Sequence, residues 1–271
     1  MEPPGISVVI RTQNSAVTLR KVLARLDLGP SDELVVVDSG STDDTVAVAE
    51  SAQARVVRIP RERFNYGVAL NLGFGVATRP WVLSLSSHCV PVHGDLLARF
   101  RRAVGWLDER VTAIVGTIEG EFSSPLPDGV TLYHRGEMAK GFGFGAGNPN
   151  CLYRRSAWER RRFNESGNPC EDMEWYVAAL EAGEVVAAVH AAAVEYASRR
   201  PIRALFRKGR LERRHSLGLF EVYQPTMGGW FVRVLKMSAF ALLGRTHWKT
   251  ALGSIAYYSG MLAEALSERR A

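Results

Sequence analysis

The feature that most constrains this chain is the rhythm of its first hundred residues, in which short apolar runs alternate with helix-length segments. Ile6-Ser-Val-Val-Ile10 reads as a buried strand, Glu33 to Val37 as a second, Arg55 to Ile59 as a third and Trp81 to Leu85 as a fourth. Between them, Ser15 is placed to cap a helix through Leu26, with Val22, Leu23 and Leu26 facing inward. Thr45 to Ala52 and Val68 to Ala77 read as the next two helices. Strands and helices alternating at this spacing imply an α/β fold with a mostly parallel sheet and helices on both faces. Ligands of such sheets bind beyond the carboxyl ends of the strands. Here those ends are Arg11–Asn14, Asp38–Asp44 and Ser86–Cys89, all rich in hydrogen-bonding groups.

After Leu107 the pattern loosens. Val111 to Ile118 and Cys151 to Tyr153 read as strands, residues 141–150 as a Gly-rich loop, Cys170 to Ala182 as a helix with an acidic start, and Val185 to Val189 as a strand. Arg199 to Arg214 is strongly basic, and two helices are expected beyond Gly229. The 271 residues suffice for one large α/β domain or two small ones. Three cysteines without CxxC spacing exclude a disulfide scaffold and a structural zinc site, and agree with a reducing compartment. The net charge of +6 calls for a polyanion: nucleic acid, a phosphorylated ligand or an anionic membrane face. The N-terminus lacks the pattern of a signal peptide. The charge-free run Thr250 to Ala263, interrupted by Gly253 and Gly260, is shorter than a spanning helix needs. The expected location is therefore cytoplasmic, with the inner face of a membrane as the surface it would meet.

No GxGxxG turn follows the first strand and no GxxxxGK[ST] loop is present, which argues against a Rossmann dehydrogenase and a P-loop enzyme. What stands there is Ser7-Val-Val-Ile-x-Thr-x-Asn14, then Val36-Val-Asp-Ser-Gly-Ser-Thr-Asp-Asp-Thr45. Phe64-Asn-Tyr-Gly-x-Ala-Leu-Asn-x-Gly73, Leu83-Ser-Leu-Ser-Ser-His-Cys-Val-Pro91 and Glu171-Asp-x-Glu-Trp175 follow in order. Read alone, Asp38 to Ser41 is a turn with a helix cap. The five motifs together resemble the bacterial family 2 glycosyltransferases of the GT-A fold, over Ile6 to about His215.

That resemblance implies a GT-A catalytic domain over 1–220, with a nucleotide-binding half at about 1–107 and an acceptor half at about 108–220, and a C-terminal helical extension over 221–271. It implies inverting transfer of a hexosyl or deoxyhexosyl group from a nucleotide-diphosphate sugar to a hydroxyl of a glycan or lipid-linked acceptor, as in polysaccharide or glycoconjugate biosynthesis. Thr12, Asn14, Asp38 and Ser39 would hold the nucleoside, with Asn71, Ser86, Ser87, His88 and Asn150 nearer the phosphates and donor sugar. Arg210 and Arg214 would lie over the diphosphate. Asp172 would be the general base, and Glu171 and Trp175 would meet the acceptor, although Trp175 reads equally as core. Phe64 and Tyr66 read equally as packing aromatics.

The chain departs from the family at its metal. Ser86-Ser-His88 replaces the usual acidic motif, and Tyr196 stands where related sequences often have His. Mn²⁺ or Mg²⁺ would then be left with His88 and His215, and cationic side chains with part of the charge neutralisation. A sugar-nucleotide-binding pseudoenzyme, a sugar nucleotidyltransferase and, more remotely, a nucleic-acid-binding protein are the alternatives. The nucleotidyltransferase would need a Gly-bearing loop after the first strand, which residues 11–18 lack, and nucleic acid is not the expected partner. In the tail, Trp230, Phe231, Trp248, Tyr257 and Tyr258 interleave with Arg and Lys. This pattern suits a membrane interface, and equally a homodimer interface or packing on the domain.

Overall fold

The structure, a computed structural model, describes residues 4–119, 129–135, 147–167, 169–197, 202–216 and 248–268. They divide into two units, one ending at Ala197 and one beginning at Ser198. In this division the basic segment 202–216 falls with the C-terminal helix.

The first unit is built on a nine-stranded sheet: β1 (Ile6–Thr12), β2 (Glu33–Asp38), β3 (Arg55–Arg58), β4 (Trp81–Ser86), β5 (Cys89–Pro91), β6 (Val111–Glu119), β7 (Val130–Tyr133), β8 (Asn150–Arg154) and β9 (Val185–Tyr196). The order is β3-β2-β1-β4-β8-β6-β9-β5, with β7 also on β9. The four expected strands pair in parallel, with Thr12 beside Asp38 and Arg11 beside Ser86. The three strand ends read as a ligand site therefore lie side by side. Beyond β4 the sheet is mixed: β8 is antiparallel to both β4 and β6, and β6 is parallel to β9.

Alternation along β1 sends Ile6, Val8 and Ile10 to one face, where they pack with Leu19 and Val22 of α1 (Ala16–Leu23), Val48 and Ala49 of α2 (Thr45–Ser51), and Leu97 and Phe100 of α4 (Leu96–Trp106). Val9 faces the other way, onto α3 (Tyr66–Val76). A Cβ on Gly73 would overlap Val9 Cγ1 and Val37 Cγ2, so only glycine lets this helix lie so close to the sheet. Phe74 of the same helix then packs its ring 5.6 Å from that of Tyr153, 5.5 Å from that of Trp158 and 5.4 Å from that of Phe163. Trp158 lies in α5 (Arg155–Arg160), and α6 (Glu171–Glu181) adds Trp175 and Tyr176 to this aromatic layer.

Several boundaries differ from the sequence expectation for identifiable reasons. α1 stops at Leu23, because Asp27 leaves the helix to accept from Leu97 N and Ala98 N (2.8 and 3.0 Å) in the first turn of α4. Ser15 stands at the start of α1 without capping it. Its hydroxyl donates to the Gln13 carbonyl, and Asp43 Oδ2 accepts from Ala16 N instead. α3 begins two residues early, because Asn65 Oδ1 accepts from Val68 N at 2.7 Å. β9 runs on to Tyr196, since its last residues pair with β5 and with the end of β6.

The second unit contains α7 (Ile202–Ser216) and α8 (Trp248–Glu268). They approach so closely that a Cβ on Gly209 would overlap the Tyr257 carbonyl, and one on Gly260 the Phe206 carbonyl. Arg210 Nε donates to Glu264 Oε2 at 2.7 Å, and Lys208 sits over the buried Tyr257 ring. Tyr257, one of the tail aromatics read as suiting an interface or packing, is buried within this helix pair. Trp230 and Phe231 lie outside the described residues, as does the Trp248 side chain. Among the described residues, no helix is long and apolar enough to cross a membrane.

Candidate functional site

The carboxyl ends of β1 and β2 are joined by their side chains. Asp38 is buried at the end of β2, and its Oδ2 accepts from Gly40 N (3.1 Å) and Ser41 N (3.0 Å) while Oδ1 accepts from the Ser41 hydroxyl. Gly40 has φ +78°, the left-handed conformation this turn requires. Asn14 takes φ +45°; its N–H donates to Ser41 Oγ and its Oδ1 accepts from Thr42 N, both at 2.8 Å. Ser39 is buried, and its N–H donates to the Thr12 carbonyl at 3.0 Å. Thr12, Asn14, Asp38 and Ser39 thus come together as expected, although Asp38 and Asn14 also build the turn they stand in. Among the described residues, Thr12 Oγ1 and the neighbouring Arg11 Nε are buried without a hydrogen-bond partner. The Arg11 guanidinium lies 5.3 Å from the centroid of the Tyr66 ring, which is itself half-exposed at the rim beside Phe64.

β4 brings Ser86, Ser87 and His88 alongside. Ser87 N donates to the Arg11 carbonyl at 3.2 Å and Ser86 N to the Pro149 carbonyl at 3.1 Å, fastening this end to β1 on one side and to residues 147–149 on the other. The His88 ring lies 6.0 Å from the ring of Tyr196. The position where related sequences carry a second imidazole is therefore beside His88, but here it is a phenol. As a cation site the triplet offers one imidazole and two neutral hydroxyls, with none of the carboxylate oxygens that hard divalent ions take. Among the described residues, no three His, Cys, Asp or Glu side chains are grouped to hold a metal. These side chains alone do not fit such an ion. The His215 side chain lies outside the described residues.

The carboxylates sit at the start of α6. Asp172 is half-buried, and its Oδ2 accepts from Asn148 N at 3.0 Å and its Oδ1 from Met173 N at 2.8 Å. The helix N-terminus also favours negative charge there. Glu171 is 3% exposed, and its Oε1 accepts from Asn148 Nδ2 at 3.0 Å. Burial, reinforced by the Asp172 charge, pushes the Glu171 carboxyl up to about 8, although the Arg11 guanidinium and the Asn148 hydrogen bond pull the other way. Burial thus favours the neutral form of Glu171.

Four expected site residues have other occupations. The Asn71 amide is saturated: Nδ2 donates to the Phe163 carbonyl and Glu165 Oε1 (both 2.8 Å), and Oδ1 accepts from Trp158 Nε1 and Phe163 N (both 3.0 Å). It clamps the chain after α5 and has no hydrogen bond left for a donor phosphate. Asn150 is fully buried, and its Nδ2 donates to the carbonyls of Thr117 and Ala192 at the irregularity between β6 and β9. It fills the gap where these strands slip register, and does not line a sugar pocket. Trp175 is core: 2% exposed, it donates to the Arg161 carbonyl at 2.6 Å and stands edge-on to Tyr153. Arg210 is ion-paired to Glu264 in the second unit, and the Arg214 side chain lies outside the described residues.

One residue of this site has no motif of its own in the sequence: Asn148 is one more polar residue in the Gly-rich loop 141–150. Arg11, a spacer position within its motif, belongs to the Arg11–Asn14 strand end already read as facing a ligand.

The sequence profile described as Glycosyl transferase family 2 matches residues 7–164, more than half of the 271-residue chain. The chain belongs to glycosyl transferase family 2. The family match covers β1 to β4, the Ser86–His88 triplet and Asn148, and ends shortly before Glu171 and Asp172. Among curated relatives, uncharacterized glycosyltransferase Rv0539 of Mycobacterium tuberculosis (strain ATCC 25618 / H37Rv) is 34% identical over 116 residues, 43% of this chain and 50% of that protein. Uncharacterized glycosyltransferase Mb0553 of Mycobacterium bovis matches to the same extent. This chain matches about half the length of these relatives. A solved mannosyltransferase from Pyrobaculum calidifontis, in complex with GDP-Man and Mn²⁺, superposes with a TM-score of 0.66 at 15% identity, covering 99% of this chain and 89% of that one. Glucosyl-3-phosphoglycerate synthase from M. tuberculosis, with Mn²⁺, UDP-glucose and glycerol 3-phosphate, superposes at 0.59 with 20% identity, covering 81% and 80%. These neighbours share the curled α/β sheet of the GT-A fold.

Proposed function

We propose that this family 2 protein transfers a sugar, with inversion, from a nucleotide-diphosphate sugar to a hydroxyl of a glycan or lipid-linked acceptor. The observation that carries the reading is the half-buried Asp172 carboxylate, held by two N–H groups at the start of α6. The loop that holds it docks on the carboxyl end of β4, in line with the polar ends of β1 and β2. Thr12, Ser39 and the Asp38 turn would receive the nucleoside, and Ser86, Ser87 and His88 the phosphates. In the transfer step the acceptor oxygen attacks the anomeric carbon as its proton passes to Asp172. The bond from that carbon to the diphosphate breaks, and its electron pair leaves with the nucleoside diphosphate.

The structural neighbours are complexes with Mn²⁺. A divalent cation arriving with the diphosphate would neutralise leaving charge. The Ser86–His88 triplet alone does not fit that ion, so the Arg11 guanidinium beside these strand ends would supply part of the neutralisation here.

A thermal-shift screen of UDP-, GDP- and dTDP-sugars tests the donor class. At least one nucleotide sugar is expected to raise Tm, and the rise is expected to persist in EDTA. Absence of any shift with every nucleotide sugar contradicts the reading. A shift lost entirely in EDTA would return the leaving charge to a metal.

A further inference from the structure

The strand ends, the turn and the carboxylate above leave one arrangement without a role: a single buried asparagine holds both acidic residues. Asn148 is 1% exposed, and every polar group it carries is engaged. Its carbonyl accepts from the Ser84 hydroxyl at 2.6 Å, which ties it to β4. Its Oδ1 accepts from the Tyr153 hydroxyl at 2.7 Å. That bond fixes the orientation of the amide and turns Nδ2 to Glu171. Its N–H goes to Asp172. Gly147 makes the approach feasible, since a Cβ there would stand 2.9 Å from Asp172 Oδ2. Glu171 Oε2 is buried and, among the described residues, has no hydrogen-bond partner.

We propose that Asn148 and Glu171 are positioning residues for Asp172: Asn148 holds both carboxyls in one geometry, and Glu171 sets which of the two carries the charge. This rests on the glycosyl-transfer reading for its kinetic consequences. Two adjacent carboxyls do not both ionise easily, and the more buried one keeps the proton. The charged groups acting on Glu171 are Asp172 on its own helix and Arg11 on β1; Asn148 is neutral. Burial therefore favours the proton on Glu171, and the charge of the pair falls to the more exposed Asp172. Once Glu171 ionises, near pH 8, a second negative charge enters a site that must bind an anionic diphosphate. The value of kcat/KM for the donor should therefore fall as pH rises through about 8.

Two variants of the full-length chain test this. Glu171→Gln is a permanently neutral isostere, and the alkaline fall should be absent from it. Asn148→Ala removes the side-chain bond but not the backbone one. It should lower kcat by about 10-fold to 100-fold, on the scale of lost positioning in a catalytic site, with KM for the donor little changed. A merely structural Glu171 would leave the pH profile where it was.

A second readout needs no turnover. A carboxyl whose folded value is raised from 4.5 to about 8 contributes stability that is present below 4.5 and lost as pH rises toward 8. Tm of the wild type should therefore fall relative to Glu171→Gln between pH 5 and 8.5, by several degrees. Superimposable pH–rate profiles, or a Tm difference that does not change with pH, would overturn the assignment to Glu171. An Asn148→Ala enzyme with wild-type kcat would overturn the clamp. If no nucleotide sugar were turned over, the functional reading would fail by itself, and the Tm comparison would still decide the protonation of Glu171.

Discussion

Asp172→Asn is expected to lower transfer by about 10³-fold while leaving donor affinity within about twofold, the pattern of a lost general base. Asp172 stands at the start of α6 and not among the strand ends proposed to grip the nucleotide, so its charge can be removed without dismantling the donor site. The substitution is not sterically neutral. Both carboxylate oxygens accept from N–H groups, from Asn148 and Met173. An asparagine must turn an NH₂ toward one of them, at a cost of about 1–3 kcal/mol for the group left without an acceptor. Thermal melts beside the kinetics separate that cost from lost chemistry. A variant that melts a few degrees lower yet turns over normally would remove Asp172 from the base role.

Asn71→Ala is expected to act on the fold and not on the donor. Truncation leaves Trp158 Nε1 and both backbone groups of Phe163 without a partner in a buried layer. Three such groups, partly rescued by relaxation, cost about 3–5 kcal/mol, or roughly 10 °C in Tm for a domain of this size. Asn71→Asp is expected to be comparably damaging. It keeps the two acceptances but sets a carboxylate oxygen against the Phe163 carbonyl and the Glu165 carboxylate. Unchanged melting with weakened nucleotide-sugar binding would restore Asn71 to the phosphates.

What could be read from the sequence follows from how local each signal is. The alternation of β1 to β4 with their helices is a period carried by neighbouring residues, and the parallel order of those strands follows from it. Asp38 was legible because its turn is closed by residues two and three positions on. The misreadings concern partners distant in sequence. Asn71 finds its partners some 90 residues away, and Asn150 answers a slip in register between two strands that the sequence leaves unpaired. Trp175 was ambiguous until the ring of Tyr153 was placed beside it. Asn148 joins a β4 serine, a β8 tyrosine and two acids at the start of α6, a convergence that no local pattern announces. The departure at the metal was legible: Tyr196 replaces an expected imidazole, and it stands beside His88.

The most direct test of inverting transfer by a single carboxylate base needs no knowledge of the acceptor, because water can take its place. The best-binding α-configured nucleotide sugar is incubated with the protein, and the first-formed sugar anomer and the nucleotide product are followed by proton and phosphorus NMR. Nucleoside diphosphate together with the β-anomer of the free sugar is the expected result, and both should disappear with Asp172→Asn. Release of the α-anomer, of a nucleoside monophosphate, or of no nucleotide from any donor would contradict it.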